Sequence, residues 1–311
     1  MAVRAGLQRL FVTEAGLRAG WRILLFLGVF VVASVLLGGA LAAAFPLAGG
    51  PALLLYQGTT GLGAALAAGG LLMAAVERRP FGALGFAWTR GVPRELALGL
   101  GIGCGAVLAV GAALAAFGLL GYRADPGTPA LYASAVVGDL AVLGVAAAGE
   151  EALFRGYPFQ VAVRSLGPVP ATVVGSALFA AAHAFNPHAG AFALLNIFLA
   201  GVLLSVAYLR TRSLWFATAL HLGWNWGTAS VLDLPVSGLD PFDTPLYEPV
   251  LGGAAAVTGG AFGPEGGLAG TVGFLLALAA VRAARGLAEA PEMHALGPLV
   301  DVRLHGTVRS T

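Results

Sequence analysis

The sequence predicts an all-α membrane protein, a polytopic bundle of about eight transmembrane helices with N- and C-termini in the cytoplasm. Three observations carry this. Of 311 residues, 58% are hydrophobic and only 10% charged, whereas a soluble domain carries roughly 25% charged residues; the mean hydropathy is +0.86. Apolar runs recur along the chain at close to the roughly 20 residues that span a bilayer. The arginines alternate from loop to loop, as they do when basic residues are held on one side of a membrane.

In chain order, residues 1–22 read as a cytoplasmic or interfacial segment. Arg4, Arg9, Arg18 and Arg22 flank Leu7, Leu10, Phe11, Ala15 and Leu17 at a roughly helical spacing. The transmembrane domain is residues 23–286. Its first run, Ile23–Phe45, ends in Gly39–Ala44, which resembles a signal-peptidase site. The run is longer than the roughly 7–15 residues of a signal sequence, so an uncleaved first helix is expected. Further runs follow at Leu53–Val76, Leu96–Leu120, Ala133–Arg164, Ala171–Phe185, Ala189–Tyr208, Leu214–Leu232 and Leu268–Ala284. The fifth is short, and Pro168, Val169, Pro170 and Asn186 complete it. An extracytoplasmic loop is expected over 233–267 and a cytoplasmic tail over 287–311.

The eight-helix count rests on the arginines. Starting with the N-terminus inside, the inner segments hold Arg4, Arg9, Arg18 and Arg22, then Arg78, Arg79, Arg90 and Arg94, then Arg155 and Arg164, then Arg210 and Arg212, then Arg282, Arg285, Arg303 and Arg309. The outer segments hold only Arg123, and the long loop after the seventh run carries Asp233, Asp240, Asp243, Glu248 and Glu265 with no basic residue. All 17 basic residues are arginine, a composition that suggests a GC-rich bacterial genome and hence a multi-pass protein of the bacterial inner membrane. The single cysteine, Cys104, forms neither an internal disulfide nor a cysteine-rich zinc site. A net charge of +2 gives no sign of a nucleic-acid partner; the lipid bilayer is the expected surrounding.

Charges inside apolar runs are costly and mark function. Glu150, Glu151 and Arg155 interrupt the fourth run. Glu151 and Arg155 are four apart, on one helical face and in the favourable order, whereas Glu150 is turned by about 100°. Arg155 can therefore neutralise Glu151 and leave Glu150 unpaired, available as a base; the alternative is a structural ion pair with Glu150 turned to water. Gly156 and Pro158 are expected to distort the helix beyond this point. The fifth run carries Phe179 and His183, the sixth Asn196, the seventh His221 and Asn225 on one face. A hairpin at Leu166–Pro168 would place Glu150, 17 residues before Gly167, level with His183, 16 after it. A pocket open to the cytoplasm is expected there. Singly, His183, His221 with Asn225, and Asn196 read as interhelical hydrogen-bonders. His188, His294 and His305 read as solvated.

Glu150-Glu151-x-x-x-Arg155, Phe179-x-x-x-His183 and His221-x-x-x-Asn225, in that order on successive runs, resemble the three motifs of the CPBP family. These are the CAAX proteases and bacteriocin-processing (Abi) enzymes, which are intramembrane proteases. Phe154-Arg155-Gly156 is similar to the family's continuation of the first motif. Ala200-Gly201 and Tyr208–Trp215 are similar to the approach to its third. The resemblance covers about 130–232, the expected protease core.

The resemblance implies an endopeptidase acting on a membrane-embedded or membrane-anchored protein or peptide. Glu150 would be the general base, His183 would hold the water, and His221 and Asn225 would donate to the oxyanion. Glu151, Arg155 and Phe179 would support them. Neither Cys104, in another helix, nor Ser176, two turns from His183, competes as nucleophile. The family's metalloprotease label implies a Zn2+ or other divalent-metal site at Glu150, His183 and His221; a metal-free water activated by glutamate is equally allowed, and the sequence has no His-Glu-x-x-His to decide. Two other classes stay open: an ion- or proton-coupled carrier, for which a buried Glu–His–Arg cluster is also natural, and a non-catalytic immunity or scaffold protein on the same fold. A carrier would more naturally show repeated halves with paired polar sites, and a scaffold would show erosion of a motif residue.

Overall fold

The computed structural model describes residues 12–13, 16–45 and 49–301. Most of the interfacial helix expected over 1–22 lies outside them, as do Arg303, Arg309 and His305. Of that segment, Val12–Thr13 (β1) and Gly16–Leu17 (β2) pair antiparallel, and residues 19–22 already belong to the first helix, which begins at Ala19.

The apolar runs all fold as helices. They are α1 (Ala19–Ala44), α2 (Pro51–Leu72, continued by a π turn over Met73–Glu77), α3 (Val92–Ala116), α4 (Pro129–Phe154), α5 (Tyr157–Leu166), α6 (Pro168–Ala182) and α7 (Ala191–Thr211). Then come α8 (Leu214–Trp226, continued by a π turn over Gly227–Val231), α9 (Leu268–Ala283) and the short α10 (Pro291–Leu296). Six helical segments are long and apolar enough to cross a membrane: Ala19–Ala44, Pro51–Glu77, Val92–Ala116, Pro129–Leu166, Pro168–Phe185 and Ala191–Thr211. The last two expected spans are shorter, 13 residues in α8 and 16 in α9. Leu24, Leu25, Val31, Val32, Val35 and Leu36 of α1, Val169, Val173 and Leu178 of α6, and Val272, Leu275 and Leu276 of α9 stay exposed. An outward apolar surface of this extent suits lipid and not water.

The fourth run does not continue as one helix. It breaks at Arg155-Gly156, where any side chain at 156 would run into the Ala152 carbonyl, and Pro158 opens α5 in the first turn, where its missing N–H costs nothing. The straight hairpin assumed from the sequence is therefore two segments with a bend between them.

α8 lies at the centre. Leu214, Phe216, Ala217, Ala219, Leu220 and Trp224 are buried. α3 approaches it closely because Gly103 and Gly223 have no side chains; a Cβ on Gly99 would stand 2.8 Å from the Phe216 carbonyl. On one end of the bundle the arginines tie helix ends together. Arg22 and Arg164 both reach Glu77, at 3.0 and 3.2 Å. Arg210 donates to the carbonyls of Val281, Arg282, Ala284 and Leu287, capping α9. Arg212 meets Asp301 at 3.0 Å, so residues 22 and 301 lie at the same end. At the other end, Leu120–Ala124 (β3) pairs antiparallel with Tyr247–Leu251 (β4), Leu120 opposite Leu251. Tyr122 and Tyr247 hydroxyls donate to the Leu232 and Val231 carbonyls, which fastens the end of α8 to this second face.

Candidate active site

Glu151 is fully buried and Arg155 nearly so. Their i,i+4 pair closes at 3.1 Å, and Arg155 also donates to the Gly201 carbonyl on α7. The guanidinium lies 4.3 Å from the centre of the Phe179 ring, a distance at which a desolvated cation is attracted to the π face. Phe179 in turn stacks tilted on His183 at 4.6 Å and edge-on to His221 at 6.2 Å. This one aromatic ring stands against Arg155, His183 and His221.

The two histidines have their tautomers set by their partners. His221 Nδ1 lies 2.9 Å from Glu151 Oε1. The carboxylate, already paired with Arg155, can only accept, so Nδ1 carries the proton. His183 Nδ1 lies 2.8 Å from the Phe179 carbonyl, which likewise can only accept. In the neutral form of either ring this leaves Nε2 with its lone pair. His221 Nε2 stands 3.9 Å from Glu150 Oε2. That oxygen is buried without a hydrogen-bond partner among the described residues, while the Glu150 side chain as a whole is 39% exposed. Glu150 thus faces away from Arg155, into open space.

That space is a cavity of about 350 Å³, lined by Glu150 and Phe154 of α4, His183 and Asn186 after α6, His221 and Asn225 of α8, and Gln57, Gly58 and Gly61 of α2. Asn225 makes no hydrogen bond to the described residues and is half-buried, so its amide is available to a ligand. Glu150, His183, His221 and Asn225 therefore meet in one cavity despite the bend at 155–156. The opening is expected toward the arginine-rich end, and part of the lining lies toward the other end. The cavity is walled by the N-terminal half of α2 and by Val236, Ser237, Leu239, Pro241 and Phe242, which lie toward the end opposite the arginines. The loop after α8 folds inward and supplies this wall.

Asn196 is a structural bond: it donates to the Glu265 and Gly267 carbonyls and accepts from Thr271. His294 is bonded to Asp301 at 3.3 Å and is not merely solvated. Sequence reasoning missed Glu265, which read as an acid of an exposed loop. It is 3% exposed, accepts from Trp224 Nε1 at 2.9 Å and from Ser237 Oγ at 2.5 Å, and borders the same small void as His183, His221 and Asn225. Nothing in the surrounding glycines and prolines signalled this.

In kind, one carboxylate and two imidazole Nε2 atoms, with Glu151 behind His221, suit a divalent metal. In position they are spread. Among the described residues the group whose ligand atoms lie within 4.8 Å of one another is Glu289, His294 and Asp301, and Arg212 already supplies the cation there. Glu150, His183 and His221 as placed do not bring their ligand atoms within 4.8 Å of one another.

The class this defines is a multi-pass helical membrane protein with a carboxylate–histidine–amide cavity inside the bundle. Residues 132–227 match the family model described as type II CAAX prenyl endopeptidase Rce1-like. That stretch holds every motif residue from Glu150 to Asn225, and the family is the CAAX protease family that the three motifs resemble. The match supports a protease. Among curated proteins, none matches the chain.

Proposed function

We propose that this protein is an intramembrane endopeptidase of the bacterial inner membrane. It hydrolyses a peptide bond of a membrane-embedded or membrane-anchored protein or peptide with a water activated by Glu150. The observation that carries this is Glu150 itself: a carboxylate without a cation of its own, facing His221 Nε2 in a cavity that also presents His183 and Asn225. The water is held between Glu150 and His183 Nε2, which accepts its second hydrogen. Glu150 takes one proton as the water oxygen attacks the scissile carbonyl carbon. The oxyanion that forms accepts from Asn225 Nδ2, and from His221 Nε2 when that ring is protonated. Collapse breaks the C–N bond, and the proton held by Glu150 passes to the leaving amine. Glu151, Arg155 and Phe179 keep the rings and the α4 backbone in place. A Zn2+ or similar ion at Glu150, His183 and His221 would supply Lewis-acid polarisation of the water.

The arginine-rich end is the cytoplasmic one, α8 and α9 complete eight helices, and the cavity then lies beneath the extracytoplasmic segment 236–242. The test is hydrolysis of fluorescent membrane-anchored peptides by the full chain in liposomes. Wild type is expected to cleave at least one, and Glu150→Gln none above the buffer rate while remaining folded. A cleaving Glu150→Gln protein would overturn the proposal.

A further inference from the structure

We propose that Glu265 is a positioning residue that clamps the 236–242 segment over the cavity holding Glu150, His183, His221 and Asn225. The inference rests on reading that cavity as the place where substrate binds. Each Glu265 oxygen has its own donor. Oε1 accepts from Trp224 Nε1, on α8 between His221 and Asn225 in sequence, and Oε2 accepts from Ser237 Oγ in the segment that walls the cavity. The carboxylate thus joins the catalytic helix to the cover.

Its own position is fixed from behind, because the Glu265 carbonyl accepts from Asn196, which Thr271 holds in turn. The cover needs such a hold. Val236 and Leu239 bond each other across a tight turn, with Ser237 at φ 49° and Gly238 at φ 80°. Glycine adopts this conformation freely, but serine occupies it at a cost. Besides the Glu265 bond, Ser237 has its carbonyl bonded by Asn186 Nδ2 and Gly238 N–H donates to the Phe262 carbonyl. Asn186 follows His183 by three residues, so the cover is tied to the sequence on both sides of the site. Releasing Glu265 lets this turn relax away from the cavity mouth.

The experiment needs no substrate. In the full chain carrying Cys104→Ala, Ala146→Cys places one thiol on the cavity wall, and its reaction rate with N-ethylmaleimide is followed in liposomes. Ser237→Ala and Glu265→Ala are expected to raise the rate about tenfold or more, the order by which losing a hydrogen bond to a charged group shifts an opening equilibrium. Glu265→Gln is expected to stay near the parent, because its amide accepts from Trp224 and donates to the Ser237 hydroxyl. A Ser237→Ala rate equal to the parent's overturns the clamp, and so does a Glu265→Gln rate equal to that of Glu265→Ala. If Glu265→Ala does not fold, Ser237→Ala, which removes one hydroxyl, still decides. Labelling and the Glu150→Gln hydrolysis test are independent, so failure of the clamp and failure of the protease reading are distinguishable.

Discussion

Glu151→Gln should destabilise the protein strongly, whereas Glu150→Gln, one residue away, should not. Glu151 is 0% exposed and its Oε1 accepts from both Arg155 and His221. The substitution keeps the shape and one acceptor oxygen but removes the charge, leaving Arg155, 1% exposed, without its paired anion. Breaking a buried pair from one side costs about 3–5 kcal/mol, about a fifth or more of a total stability of about 5–15 kcal/mol. At about 2–4 °C per kcal/mol for a chain of this order, the melting temperature in detergent should fall by about 6–20 °C. Glu150 makes no hydrogen bond and opens into the cavity, so Glu150→Gln should stay within about 0.5 kcal/mol of wild type. Adding Arg155→Met to Glu151→Gln removes the stranded charge, so the double variant should melt above Glu151→Gln alone. Scanning fluorimetry and gel filtration of the four proteins measure this. A Glu151→Gln protein melting within about 2 °C of wild type, with no gain from Arg155→Met, would refute the view that the pair is a stability element behind the site.

His221→Ala should lower kcat more than it raises KM, since an oxyanion donor acts on the transition state; purified protein with one tightly bound zinc, lost with all activity on this substitution, would make His221 a ligand instead. Burial pushes the Asp233 carboxyl up to about 6 from the usual 3.8. The folded state therefore holds this proton more tightly, and the associated stability, full below pH 3.8, is lost as pH rises through about 6. Melting temperatures across pH 4–7 should show that decline in wild type and a flatter profile in Asp233→Asn, and identical profiles would remove Asp233 as its source. A membrane-impermeant maleimide on intact cells should label Arg123→Cys but reach Arg90→Cys only after permeabilisation; labelling of both from one side would remove the eight-helix topology.

The sequence displayed the helices and the chemistry far better than the path that joins them. Apolar runs and charged intruders are local signals, so α4, α6 and α8 and the groups Glu150, Glu151, Arg155, His183, His221 and Asn225 could be read from composition and spacing of three or four residues. The bend at Arg155-Gly156 was legible only as a distortion, because Gly156 says that a side chain does not fit and not which way the chain turns. Glu265 was not legible at all. Its burial depends on Trp224, Ser237 and Asn196, which lie 41, 28 and 69 residues away in sequence. A loop acid with such partners looks the same, in one dimension, as one solvated beside Asp240. The direction of the cavity depends on that same unreadable contact. Glu265 bonds both Trp224 of α8 and Ser237, in the segment that walls the cavity toward the β3–β4 end. Glu150 and His183, counted as equidistant from the 166–168 turn, do line one cavity, but that count carries no information on the side from which a substrate approaches them.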